Sequence, residues 1–453
     1  MNTIISANDF VLKLIVNTDL EKIKELNREN FQDFINSVTK EELKKGQHDL
    51  KSSQYNFHVS NGEEHLIYNT LYNSFIRLEG DEYNDFVLCN TESSLSENLI
   101  ENGLWISSDI DEFEKYILLS GAFEKYLKRS FSFTITPTMK CNARCAYCYE
   151  AGALMKDFDD EKFDILIDFI TSHDLTHGLN INWFGGEPLM NTKLIDRVSN
   201  AMKEREIKYS SYIISNGSLL NSEIIDEKMK AWNVHDIQIT IDGTEDEYIE
   251  RKNYINKNEG DYYKLLHNIM KLAKTGIYIH IRLNIDKNNS EDIFDLIQDL
   301  EALYKDYKNV VFYPAFITGC DEKLTEDEKI DIVYKLLKNL NDPQRLTAGT
   351  KMYSYPRIRP CMKDDSQSFS IDSQGYIYRC EHYVGHSEKS FAKIEDEVIN
   401  KKIPDYLTFN EECRECKFFP KCMGGCEANY IEGDSPCMIE KYIIEAYLRY
   451  MLF

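Results

Sequence analysis

Short runs of β-branched and aromatic residues recur through the middle of this 453-residue chain, each followed by a segment in which apolar residues return at helical spacing. The runs are FSFTIT (131–136), LNINWF (179–184), SYIIS (211–215), IQITI (237–241), YIHIRLNI (278–285) and NVVFYPAFI (309–317). Between the first two, DDEKFDILIDFITSHD places Phe163, Leu166, Ile167 and Ile170 on one helical face, and the later connections repeat the pattern. Six strand–helix units imply an α/β fold with a parallel sheet and right-handed crossovers. A flat doubly wound sheet and a curved partial barrel both satisfy this periodicity. In either, ligands bind at the carboxyl ends of the strands.

The flanks read differently. Residues 1–52 predict a helical segment of two acidic, charged helices, and residues 53–128 predict a small separate module. In that module, strand runs are punctuated by SNGEE and LEGDE and followed by helical stretches. The strand–helix repeats occupy 129–342, and a cysteine-rich region fills 343–453. A net charge of −24 opposes binding to a phosphate backbone or an anionic bilayer, so neither nucleic acid nor a membrane is an expected partner. The N-terminal MNTIISANDFVLKLIVNTD is interrupted by Lys13 and has no basic region before it, and no apolar run reaches membrane-spanning length. A cytoplasmic location is therefore expected. Twelve cysteines in a reducing compartment point to metal or redox chemistry rather than disulfides.

Ten of those cysteines fall in two groups. The first, in TMKCNARCAYCYEAG, sets Cys141, Cys145 and Cys148 directly after the first strand. A structural zinc site wants four protein ligands, and no fourth Cys or His is near. Three thiolates suit an iron–sulfur cluster with one iron left open to an exogenous ligand. The second strand ends in WFGGEP, where Gly185 and Gly186 allow close backbone approach to a ligand and Glu187 precedes Pro188. Later strands end in Ser215–Asn216, in Asp242 with Arg251 a few residues on, and in Asn284 with Asp286.

The C-x3-C-x2-C spacing, with Tyr147 before the third cysteine, resembles the radical S-adenosylmethionine (SAM) superfamily. The resemblance implies a partial (β/α)6 TIM-like barrel in which Cys141, Cys145 and Cys148 hold a 4Fe-4S cluster whose open iron chelates the amine and carboxylate of SAM. Gly185 to Pro188 match the family's GGEP motif, which receives the SAM amino group. Ser215 and Asn216 then contact the SAM ribose or carboxylate. Asp242, Asn284 and Arg251 are further SAM contacts, with Arg251 suited to the carboxylate.

The second cysteine group resembles the SPASM domain of peptide-modifying radical SAM enzymes. That resemblance implies two auxiliary 4Fe-4S clusters, one on Cys361, Cys380 and Cys426, the other on Cys413, Cys416, Cys422 and Cys437. On its own, the Cys413 to Cys426 group also reads as a zinc knuckle. The first set is one ligand short, because Tyr355 stands where sulfatase-maturing members have another cysteine. Either Cys320 or Cys89 completes it, or an iron is open for a substrate thiolate. Glu381 follows Cys380 where those members carry a catalytic Asp, so it is either a base or an ordinary exposed acid. The 53–128 module resembles the winged-helix element that holds a precursor peptide's leader.

The expected activity is that of a radical SAM peptide maturase. SAM is cleaved reductively with electrons from a donor such as flavodoxin or ferredoxin, the resulting radical removes hydrogen from a ribosomally made peptide, and a cross-link follows. A Cys sulfur-to-carbon thioether is favoured; carbon–carbon cross-linking and formylglycine formation are the alternatives. A non-enzymatic metal scaffold is the competing class, and it would yield no 5′-deoxyadenosine.

Overall fold

The computed structural model describes residues 9–43, 49–319, 322–346, 356–357, 361–397, 399, 409, 411–431, 435–437 and 439–453. Strands β1 (Leu50–Ser52) and β5 (Trp105–Ser107) form an antiparallel pair. Strands β2 (Asn56–Ser60), β3 (Glu64–Asn69) and β4 (Phe75–Glu79) form an antiparallel meander. Where two N-terminal helices are expected, three stand: Asp9–Asn17, Leu20–Lys24 and Phe31–Lys40. Their apolar positions, among them Leu12, Ile15, Phe31 and Phe34, share one core with Phe113 and Phe123 of the helix Glu112–Tyr126. The same core takes in Phe419 and Met423 from the far end of the chain, so these helices are packed elements.

The central sheet holds β6 (Phe131–Thr138), β7 (Leu179–Gly185), β8 (Ser210–Ser215), β9 (Val234–Thr240), β10 (Tyr278–Ile285) and β11 (Val310–Phe316), parallel and in sequential order. Sequential order decides between the two expected architectures. Each right-handed crossover steps one strand further in the same direction, which puts every helix on one face; a doubly wound sheet needs a reversal to cover both. The structure is thus the one-sided, open arrangement of a partial barrel. Beyond β6, the sheet is extended by β12 (Ser368–Ile371), parallel to it, and then by β13 (Tyr376–Tyr378) and β14 (Ala392–Lys393).

Side chains alternate across this sheet. Phe133, Ile135, Ile181, Ile213, Ile237, Ile239, Ile279, Ile281, Leu283 and Phe312 are fully buried in the main core. Their neighbours Thr134, Asn182, Tyr212, Gln238, His280, Arg282 and Tyr313 occupy the opposite, inner face in matched register. That inner face is polar. Among the described residues no helix is long and apolar enough to cross a membrane.

Candidate active site

The cysteine loop leaves the carboxyl end of β6 and is fixed by backbone bonds before any ligand is considered. Arg144 N donates to Lys252 O at 2.9 Å, Ile255 N to Asn142 O at 2.9 Å, and Glu187 N to Lys140 O at 2.9 Å. Cys141, Cys145 and Cys148 are half-buried and lie within electrostatic reach of one another. Burial pushes the Cys141 thiol up to about 12 and the Cys148 thiol up to about 11.

The two glycines each give room to a neighbouring segment of the chain. A Cβ on Gly186 would lie 2.4 Å from Lys140 O and 2.7 Å from Met139 O, and one on Gly185 would lie 2.4 Å from Thr136 Cγ2. Gly185 also holds φ at +116°, where side chains are strained. Gly186 thus admits the backbone that opens the cysteine loop, and Gly185 admits the end of β6. Pro188 then opens a short turn, with the Glu187 carboxylate accepting from Leu189 N at 3.1 Å.

Glu187 is wholly buried. It also accepts from Ser215 Oγ and from Asn216 N, both at 2.8 Å, so one carboxylate ties the ends of β7 and β8 together. Burial raises it to about 7 against the opposing pull of these hydrogen bonds. The Ser215 hydroxyl donates to Glu187 and accepts from Gly217 N, which helps hold the carboxylate in place. Asn216 turns to the loop instead, donating to Asn142 Oδ1 at 2.9 Å with Cys141 Sγ at 4.0 Å.

At the end of β9, Asp242 is wholly buried and pairs with Lys252 Nζ at 2.9 Å. Tyr147 donates its hydroxyl to Asp242, and Lys252 reaches the Tyr147 oxygen at 3.2 Å. Lys252 is almost fully buried, stays charged through the fields of Asp242 and Cys145, and pulls down both Cys148 and Glu187. Arg251, the residue expected to take a carboxylate, lies over the Tyr147 ring at 5.3 Å, and its Nε is buried without a protein partner. It forks onto Asp286, with Nη2 to Oδ2 at 2.9 Å and Nη1 to Oδ1 at 3.2 Å, and holds Asp286 below the usual carboxylate range. The helix Glu245–Lys252 ends in two consecutive cations, and Lys252 also lies over the Tyr147 ring, at 5.9 Å. Asn284 accepts from Arg282 Nε at 2.8 Å, and Asn289 braces the carbonyls of Asp242 and Asn284.

The C-terminal region folds against the same opening. Its β12–β13 turn closes on Asp372, which accepts from Gln374 N, Tyr376 N and Tyr378 Oη, with Gly375 at φ +83°. Cys361, Cys380 and Cys426 lie within electrostatic reach of one another, and Cys416 lies within reach of Cys437. Cys413 and Cys422 lie in the short helical turns Glu411–Glu415 and Phe419–Cys422. Glu381 is half-buried, raised by burial and drawn back by Arg282. It is near Glu150, which its own burial and the field of Glu381 push up to about 8. Tyr149 stacks on His382 at 4.7 Å. Cys89 caps the helix Gly80–Leu88 and packs in the separate core around Trp105, whereas Cys320 and Tyr355 lie outside the described residues.

A SAM molecule and a cluster fit these residues. Thr136 Oγ1, Glu150 Oε1, Asp242 Oδ1 and Arg251 Nε are buried without a protein partner, at the strand ends and in the loop itself. Buried polar atoms of this kind ordinarily have partners, so four such atoms around one loop suit a polar ligand. The three thiols supply the soft donors an iron–sulfur cluster takes.

Residues 135–300 match the radical SAM superfamily, so with the fold above this stretch is a radical SAM domain, and a cysteine-rich C-terminal region follows it. It is 23% identical over 346 residues to a cysteine-type anaerobic sulfatase-maturating enzyme of Clostridium novyi, spanning 66% of this chain and 89% of that one. It is 24% identical over 306 residues to a GTP 3′,8-cyclase of Clostridium perfringens, spanning 62% and 90% respectively. The solved structure of native anSMEcpe with bound AdoMet and the Cp18Cys peptide superposes with a TM-score of 0.55 at 15% identity, covering 70% of this chain and 96% of that one.

Proposed function

We propose that this chain is a peptide maturase that removes hydrogen from a ribosomally made precursor peptide and installs a Cys sulfur-to-carbon thioether. The observation that carries the reading is the second cysteine set, Cys361, Cys380 and Cys426, gathered with Glu381 beside the polar inner face of the radical SAM half-barrel. The relative named as a sulfatase-maturating enzyme and the solved neighbour holding a peptide support a peptide substrate.

In this reading Cys141, Cys145 and Cys148 hold the SAM-binding 4Fe-4S cluster. Glu187 receives the SAM amine, Asn216 orients the ligand, and Lys252 takes the carboxylate in place of Arg251. When bound, SAM and its cluster supply a hydrogen-abstracting radical. Cys361, Cys380 and Cys426 hold one auxiliary 4Fe-4S cluster; Cys413, Cys416, Cys422 and Cys437 hold the other. Glu381 accepts the proton released as the cross-link forms. Residues 53–128 hold the leader by adding a peptide strand to the edge of the β2–β3–β4 meander. A flavodoxin- or ferredoxin-type protein delivers the electron, and the enzyme works in the cytoplasm.

The test is anaerobic incubation of the reconstituted enzyme, SAM and reductant with a short Cys-containing peptide encoded beside its gene, read by mass, fragmentation and thiol alkylation. Loss of two hydrogens with one Cys no longer alkylatable and no disulfide is the expected result. Loss of two hydrogens with every Cys still alkylatable would replace the thioether with a carbon–carbon link. Loss of the cysteine sulfur would identify formylglycine formation, a second reading favoured by the sulfatase-maturating relative. An unmodified peptide would count against the reading.

A further inference from the structure

The polar inner face carries a cation that the chemistry above leaves unused. Arg282 projects from β10, paired in the parallel register with Thr240 of β9 on one side and Tyr313 of β11 on the other. Its Nε donates to Asn284 Oδ1 at 2.8 Å, and its guanidinium lies 5.9 Å from the centre of the Tyr313 ring. The Tyr313 hydroxyl donates to Gln238 Oε1 at 2.7 Å, and Tyr212 reaches the same oxygen at 3.4 Å. Among the described residues Arg282 makes no ion pair. By contrast, His280, one layer down on the same strand, pairs with Asp236 at 3.2 Å, and Arg251 pairs with Asp286 at 2.9 Å. Glu381 exerts a field on Arg282 without forming an ion pair with it.

A half-buried guanidinium without a carboxylate is costly unless a ligand completes it. Its planar fork matches a carboxylate. Gln238, whose Oε1 already accepts from Tyr212 and Tyr313, holds both rings in place beside the guanidinium. We propose that Arg282 and Tyr313, buttressed by Gln238, form a subsite for a carboxylate of the substrate, an acidic side chain or the C-terminus of the peptide. The assignment of the carboxylate to a peptide rests on the proposed function. The subsite places an anionic group of the substrate on the inner face, within reach of Tyr149 and Glu381, and so fixes which neighbouring residue reaches the chemistry.

The test measures binding of small probes to the reconstituted holoenzyme saturated with SAM, by competition saturation-transfer NMR. The probes are N-acetyl-aspartate amide and N-acetyl-glutamate amide for a side-chain carboxylate and N-acetylglycine for a C-terminal one. N-acetyl-asparagine amide, N-acetyl-glutamine amide and N-acetylglycine amide are their uncharged controls. One carboxylate class is expected to bind at least about tenfold more tightly than its amide control, as a charge-assisted contact requires. Arg282→Gln is expected to abolish that ratio and Arg282→Lys to keep part of it. Which class shows the ratio distinguishes a side chain from a C-terminus. Equal binding of acids and amides, or a ratio that survives in Arg282→Gln, would overturn the subsite. A ratio seen only when SAM is withheld would assign Arg282 to the SAM carboxylate and likewise overturn it. The mass experiment on the encoded peptide decides the peptide reading separately, since these probes report the anion site whatever the substrate is.

Discussion

Asp242 and Lys252 offer a way to separate a structural ion pair from one kept for a ligand. Both are buried, 2.9 Å apart, with the Tyr147 hydroxyl on the carboxylate. Lys252→Met leaves an uncompensated buried carboxylate, and breaking such a pair costs about 3–5 kcal/mol. The double variant Asp242→Leu/Lys252→Met removes both charges. Its remaining penalty is the orphaned Tyr147 hydroxyl, about 1–3 kcal/mol, so much of the lost stability returns. Ligand binding behaves otherwise. If Lys252 takes the SAM carboxylate, one charge-assisted contact of about 1.5–3 kcal/mol is gone in both variants, and SAM affinity falls by about tenfold or more in each. Denaturant midpoints of the reconstituted proteins and SAM dissociation constants from equilibrium dialysis report the two effects separately. A double variant that recovers SAM affinity together with stability would refute the ligand role and leave the pair as scaffold.

Gly186→Ala drives a Cβ to 2.4 Å from the Lys140 carbonyl oxygen, which is backbone and cannot swing aside, so an overpacking cost of about 1–3 kcal/mol falls on the cysteine loop. Reduced iron content and a lost SAM-induced change in the electron paramagnetic resonance of the reduced cluster are expected; a normal spectrum would refute the cradle. Glu187, raised to about 7, binds more protons folded than unfolded, so its burial makes stability fall as pH rises from about 4.3 to about 7, by on the order of 3 kcal/mol. Glu187→Gln is expected to flatten that limb in denaturant midpoints taken across the range. Asp286 has the opposite sign: lowered by Arg251, it contributes stability above its unfolded value of about 3.9, and this is lost as pH falls through its folded value. Asp286→Asn is expected to be less stable at neutral pH and to lose less on acidification, and an unchanged acid limb would refute the pairing. Glu381→Gln is expected to slow peptide modification more than SAM cleavage, measured as product mass against 5′-deoxyadenosine; equal losses would count against a base.

The six strand–helix units were legible because each strand carries an unbroken set of apolar residues for the helices to cover. The helix-covered side of YIHIRLNI is the three isoleucines and Leu283, all fully buried. The same segment also shows its other face, Tyr278, His280, Arg282 and Asn284, at every second position. Treating the runs simply as β-rich passed over that alternation, and with it Arg282. Curvature was not legible, because strand order is a long-range property that periodicity does not encode. Nor was the role of Gly185 and Gly186 toward the cysteine loop, since close approach to a ligand and to a neighbouring loop leave the same two letters. The packing of the N-terminal helices is hidden for a related reason: charged positions in residues 9–40 are plentiful, but the apolar stripe between them finds a partner in residues 113–123.

The polarity of the inner face follows from the open architecture. A closed eight-stranded barrel fills its interior with packed apolar side chains. Six parallel strands in sequential order leave the sheet open, so inward-facing positions meet solvent or substrate rather than one another. Paired polar groups there, such as His280 with Asp236 or Asn182 with Ser132 and Thr134, are satisfied without help. Arg282 is the exception among them, and in a chain of net charge −24 its unpaired guanidinium is not explained by a shortage of carboxylates. Acidic side chains are abundant, and Glu381 is already close enough to exert a field on it. In the proposed subsite that separation would leave the guanidinium open to an incoming anion with Glu381, the proposed base, close by: one acid would be bound and another used.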